Sequence, residues 1–280
     1  MFHAISGDTH VSCGAPFALS EDADPNMYLQ DLRLFVYDVE LKNTAGDWVS
    51  FEMEADGEWS DGRVTLLDYE DGSQNCDESG NLLMNHQLKG MIPAGDYESI
   101  RFRVGVPFEL NHQDVTAAQA PLNTSSMFWV WQRGYKFARV ELLQENGDSL
   151  TPWLFHLGST GCESEAAVIA PESPCAKMNA PWITIDSFDL SSQHLALDLR
   201  GLLSGIDLSS NTEETPVGCM SMPLESLECE PLYQNLGLDF STGESSACEG
   251  GSCSVFRAIN NDHSGDDHSG DDHSGDDHSG

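Results

Sequence analysis

Positive charge is scarce: the 280 residues carry 12 Lys and Arg against 47 Asp and Glu, a formal net charge of −35. Such a chain repels polyanions, which excludes nucleic acid as a partner, whereas cations, basic proteins or plain solvation all suit it. Long hydrophobic runs are also missing. Nothing approaches the roughly 18 apolar residues of a membrane-spanning helix, so the sequence reads as that of a soluble protein without a membrane span. The opening MFHAISGDTHVSCG lacks the charged and apolar regions of a secretion signal. The hydrolase motifs GxSxG and HExxH do not occur, and no carboxylate pair is singled out for glycosidase chemistry, so enzymatic activity is not expected.

CxxC spacing, the mark of a structural zinc site, is absent although there are eight cysteines. They fall in close succession, as in CESEAAVIAPESPC, CMSMPLESLEC and CEGGSC, and enclose loop-forming Gly, Pro, Ser and Glu. Disulfides explain this usage best, each such loop contributing about 2 to 3 kcal/mol in the chain-entropy model. Disulfides require an oxidising compartment, which predicts a periplasmic or secreted protein whose signal has been removed.

What is present is strand-like. LRLFVYDVEL (32–41), RVTLLDY (63–69), YESIRFRVGVPF (97–108), KFARVELL (136–143), PWITIDSFDL (181–190) and HLALDLRGLL (194–203) are short, rich in β-branched and aromatic residues, and punctuated by Gly, Asn, Asp and Pro. The expected fold is all-β, an antiparallel β-sandwich-like single domain over residues 1–259 with loop-rich, disulfide-stapled additions. DVTAAQAPL (114–122) offers one or two helical turns before Pro121. From residue 260 the chain becomes a repeat, NDHSGDDHSGDDHSGDDHSG, with no apolar residue to bury; it is expected to be a disordered tail. Its imidazoles, His263, His268, His273 and His278, suit weak capture of divalent Cu, Ni or Zn. Plain solvation is the other reading of the tail.

The densest aromatic segment is SMFWVWQRGYKF (126–137). If residues 126–132 are extended, Met127, Trp129 and Trp131 share one face and Phe128 and Val130 the other. A thioether beside two indoles is ordinary core packing, and it is also the wall of a soft-metal site.

Four segments in order, RVGVPFELNHQD (103–114), MFWVWQRGYKF (127–137), FHLGSTGC (155–162) and GCMSMP (218–223), resemble the MbnP family, whose members are also described as the four-Cys-motif half of a metallo-mystery pair. The likeness runs from about residue 2 to 259 and omits the tail. It implies a largely β, periplasmic or secreted copper-binding protein. In that family the first Trp of a WxW motif, here Trp129, is oxidised to kynurenine by MbnH, a di-haem partner related to cytochrome c peroxidases and MauG. A histidine and a methionine then complete a Cu(I) site, with the second tryptophan, Trp131, behind it. Thioether and imidazole donors together favour the soft Cu(I) ion. His156 ranks first as the imidazole, because it ends an apolar WLFHL strand, and His112 in NHQD is second; a hydrogen-bonded structural role is the competing reading of each. Met127 is the first methionine, with Met220 and Met222 as alternatives. The resemblance also implies the pairs Cys162 with Cys175 and Cys219 with Cys229; the other four cysteines and the repeat tail depart from the family pattern, and CEGGSC can close Cys248 on Cys253, leaving Cys13 with Cys76. His3, His10, His86 and His194 carry no family signal and receive no role. The contrasting function is an extracellular interaction or adhesion sandwich without a tight metal site.

Overall fold

The computed structural model describes residues 1–76, 82–221, 226–246 and 253–261. Fourteen strands are found among them: β1 (Phe2–Ser6), β2 (Thr9–His10), β3 (Met27–Asn43), β4 (Trp48–Ser50), β5 (Glu52–Met53), β6 (Val64–Asp68), β7 (Gly90–Met91), β8 (Tyr97–Val104), β9 (Ala138–Asn146), β10 (Ser149–Leu157), β11 (Trp182–Asp186), β12 (Gln193–Asp198), β13 (Cys219–Met220) and β14 (Phe256–Asn260). Helix is confined to α1 (Phe108–Asn111), α2 (Leu199–Leu202), α3 (Glu230–Asn235) and short 3₁₀ turns. The all-β expectation holds, and each of the six quoted segments contains a strand. Two pairings, β1 with β12 and β10 with β13, run parallel, so the sandwich is mixed rather than purely antiparallel.

β3 organises the larger sheet, in which β11, β8, β3, β9, β10 and β13 follow one another. Its 17 residues are long enough to take β9 and then β8 along one edge, while β6 and β4 line the other. The change of partner falls at Phe35, whose N–H donates to Phe137 O and whose carbonyl accepts from Gly105 N. Beyond it the register shifts between Tyr37 and Glu40, where Asp38 adopts φ 51°; such a bulge bends a strand this long around the core. A second sheet, ordered β14, β12, β1 and β2, covers the larger one. Phe2 and Phe256 from this cover meet Phe102 of β8 edge-on, with ring centroids 5.5 and 5.3 Å away. Residues 114–118 form a turn capped by Asp114 rather than a helix: Thr116 N donates to Asp114 Oδ1, and Ala117 N and Ala118 N to its carbonyl.

Three disulfides staple the loops: Cys13 to Cys76, Cys162 to Cys175 and Cys219 to Cys229. Cys248 lies outside the described residues, as do Met222 and the tail histidines.

Candidate metal centre

The extended reading of residues 126–132 is overturned. Ser125–Met127 is a 3₁₀ turn, and the chain then reverses so that Phe128 bridges Tyr135. Val130 O accepts from both Arg133 N and Gly134 N, and Trp129 N donates to Gly134 O. The turn needs φ +74° at Gly134, where a Cβ would stand 2.4 Å from Asn111 O, so glycine is required there on two counts. Met127, Trp129 and Trp131 therefore do not share a strand face. Met127 is fully buried in the main core, while Trp129 and Trp131 are half-buried.

The NH of NHQD holds this reversal in place. Asn111 Oδ1 accepts from Tyr135 N at 2.8 Å. His112 Nδ1 lies 2.8 Å from Trp131 O; a carbonyl only accepts, so Nδ1 carries the proton. Nε2 is left to accept from Asn111 Nδ2 at 3.2 Å. Burial lowers the His112 pKa, in keeping with this neutral tautomer. Both ring nitrogens are thus engaged, which makes His112 a clamp on the tryptophan loop in this geometry. Its ring also approaches Cys162 and Cys175, but their sulfurs are bonded to each other and supply no thiolate; the same holds for Cys13 and Cys76 beside Asp71.

His156 stands differently. One face of the large sheet carries charged residues at every second position, Asp31 and Arg33 on β3 and Arg139 and Glu141 on β9, all buried. Arg33 pairs with Asp31, Arg139 reaches Asp31 at 2.9 Å, and Arg139 grips both oxygens of Glu141 at 2.6 and 2.9 Å. The line ends at His156, whose Nε2 is 2.6 Å from Glu141 Oε1. Burial alone would raise the Glu141 pKa, but the hydrogen bonds from His156 and Arg139 outweigh it and hold the carboxylate down at about 2. Burial lowers that of His156 against the pull of Glu141. An ionised acceptor facing a neutral ring puts the proton on Nε2. Nδ1 then offers a lone pair, and it is buried without a hydrogen-bond partner among the described residues. An orphaned imidazole nitrogen whose opposite N–H is fixed by a carboxylate is the arrangement of a metal-ligating histidine.

Two neighbours complete the place. Met220 on β13 is the register partner of His156, and Ser221 N donates to His156 O. Gly158, about 7 Å further along the strand direction, is the floor for the Trp129 ring. A Cβ there would be only 2.4 Å from Trp129 Cζ3. The loop above is tied down by Arg33 Nη1 donating to Ser126 Oγ at 3.0 Å and Lys136 Nζ to Ser126 O at 2.8 Å. Burial, then the charge of Arg139, brings the Lys136 pKa down to about 8. Of the residues expected from sequence, His156, Met220 and Trp129 are brought to one place, whereas Met127 and His112 support it from the core and the loop. Glu141 and Gly158 were not singled out. Their signals were present: charges at alternate positions in otherwise apolar strands, and a glycine two residues after the histidine.

The solved structure of MbnP from Methylosinus trichosporium is similar at 28% identity and a TM-score of 0.77, over 93% of this chain and 96% of that one. No curated protein matches. The MbnP family profile matches residues 1–221, and the chain therefore belongs to the MbnP family.

Proposed function

We propose that the protein binds one Cu(I) ion in the periplasm or outside the cell, at His156 and Met220, once a di-haem MbnH-like partner has converted Trp129 to kynurenine. Membership of the MbnP family supports a role in the methanobactin/copper system. The observation that carries the residue assignment is the buried Nδ1 of His156, unpartnered among the described residues, beside Met220 and two residues along the chain from the glycine under the Trp129 ring. A neutral imidazole and a thioether favour a soft monovalent ion, and opening the indole adds amine and ketone donors where an inert ring edge had been. Glu141 holds the Nε2 proton, Arg139 holds Glu141 and is itself held by Asp31, and His112 fixes the backbone of the tryptophan loop. The proposed role is binding rather than catalysis: Asp31, Arg139 and Glu141 pair with one another and serve to orient His156.

The test is co-expression with a di-haem partner in copper-supplemented medium, followed by metal analysis, intact mass and peptide mapping. Oxidation to kynurenine exchanges one ring carbon for an oxygen, a gain of about 4 Da on Trp129. Trp129→Phe keeps an aromatic ring, folds, and emerges without tightly held copper; Trp131→Phe still acquires it. Equal copper in wild type and Trp129→Phe refutes a modification-dependent site, and unchanged copper in Met220→Leu refutes the thioether assignment.

A further inference from the structure

Three histidines to which the sequence assigned no role lie together on the outer face of the smaller sheet. His3 on β1 and His194 on β12 place Nε2 and Nδ1 2.9 Å apart, with their rings nearly parallel at a centroid distance of 5.1 Å. His10, opposite Ile5 in β2, brings its ring centroid to 6.4 Å from that of His3. We propose that His3, His10 and His194 form a second metal site, selective for a borderline divalent cation of the Zn(II) class and independent of the Cu(I) site.

The spacing is that of ligands before the ion arrives. With metal to nitrogen bonds of about 2.0 to 2.1 Å, two imidazole nitrogens on one ion stand about 2.9 to 3.4 Å apart, and their ring centroids about 5 Å apart at the tetrahedral angle. His3 and His194 meet both distances. One of these two nitrogens donates to the other; when a cation takes the proton's place, the donor ring shifts that proton through solvent to its other nitrogen and both imidazoles stay neutral. His10 is exposed on a two-residue strand, and with its ring centroid 6.4 Å from that of His3 it has to change rotamer to join them. Beside the rings on the same face, Ile5, Ala196 and Ile259 form a small buried apolar cluster. Arg257, on the strand next to β12, is offset by Asp8 at 3.4 Å and Asp198 at 3.7 Å, while the N-terminal ammonium adds some positive charge near His3 and His194.

Proton competition is weak as well. Burial, then the charges of His194 and His10, pushes the His3 pKa down to about 4, and burial lowers that of His194, so both rings are neutral at pH 7. Three imidazoles with no thioether or thiolate suit Zn(II), Ni(II) or Cu(II) better than Cu(I), and leave a fourth position to solvent.

The experiment uses the full chain, tail included, without copper. Equilibrium dialysis against Zn(II) compares wild type with His3→Gln/His194→Gln; both proteins carry the same four tail histidines, so the tail's weak binding cancels. Wild type should retain one more equivalent of Zn(II), and the double variant should bind that equivalent at least 10-fold more weakly while its Cu(I) loading after co-expression is unchanged. Identical Zn(II) isotherms overturn the proposal. Histidine-selective 15N NMR of wild type gives an answer that depends on no variant. Three dispersed imidazole resonances should shift and saturate at the first equivalent of Zn(II); movement confined to averaged, tail-like resonances overturns the site.

Discussion

Gly158→Ala isolates the placement of Trp129 from its chemistry. The glycine is buried at the end of β10, and no left-handed φ is involved, so the added methyl acts through space alone. That methyl would lie 2.4 Å from Cζ3 and 2.9 Å from Cη2 of Trp129, and 2.9 Å from the backbone oxygen of Tyr135. Carbon contacts settle near about 3.5 to 4.0 Å, so the ring has to retreat by about 1 Å. Retreat in the other direction is blocked by backbone rather than by a flexible side chain. Overpacking of this kind costs about 1 to 3 kcal/mol, which for a chain of this size lowers Tm by roughly 2 to 12 °C. A ring displaced by about 1 Å no longer presents its donors within the roughly 0.5 Å that a metal site tolerates, so copper retained after co-expression should fall at least 10-fold. Thermal unfolding by circular dichroism and copper analysis of the same samples read the two effects. Gly95→Ala is the control, since its Cβ meets nothing nearer than Tyr97 at 3.8 Å, and it should change stability by no more than about 0.5 kcal/mol. A Gly158→Ala protein with wild-type Tm and full copper would show that the ring does not rest on Gly158 as described.

Glu141→Gln keeps an acceptor for the Nε2 proton of His156 but removes the charge that Arg139 grips; copper affinity should drop by about 10 to 100-fold with Trp129 still oxidised, and an unchanged competition titration with a Cu(I) chelator contradicts the positioning role. Removing Cys13 and Cys76, 63 residues apart, should cost about 4 kcal/mol in urea unfolding, against about 3 kcal/mol for Cys219 and Cys229, 10 apart. The second pair should nevertheless cost more copper, because Cys219 precedes Met220 on β13; the reverse order of copper loss speaks against Met220 as a ligand. Burial outweighs the nearby Arg33 charge and raises the Asp68 pKa to about 8, so between about pH 4 and 8 the folded protein holds a proton that the unfolded chain releases, and stability declines as pH rises through that window. Asp68→Asn retains the acceptor for Glu70 N and should flatten that decline; parallel stability profiles for the two proteins refute the burial effect.

The strands were legible because short runs rich in apolar, β-branched and aromatic residues, bounded by turn formers, mark buried strands whatever they pack against, as LRLFVYDVEL in β3 and KFARVELL in β9 illustrate. The cysteine pairs that close short loops were equally legible, since loop length restricts which sulfurs can meet. Local pattern misled at SMFWVWQRGYKF: alternating aromatics read as a strand, whereas Asn111 and His112, distant in sequence, hold the segment as a reversal around Gly134. That outcome depends on hydrogen bonds between residues 19 and 24 positions apart, which no local period encodes. The difference between His156 and His112 arises in the same way, from which ring nitrogens find partners among the described residues once the chain is folded. The meeting of His3, His10 and His194 was wholly a matter of tertiary structure. Parallel pairing of β1 with β12 joins residues 191 positions apart, and the register of that pairing sets both imidazoles on one face.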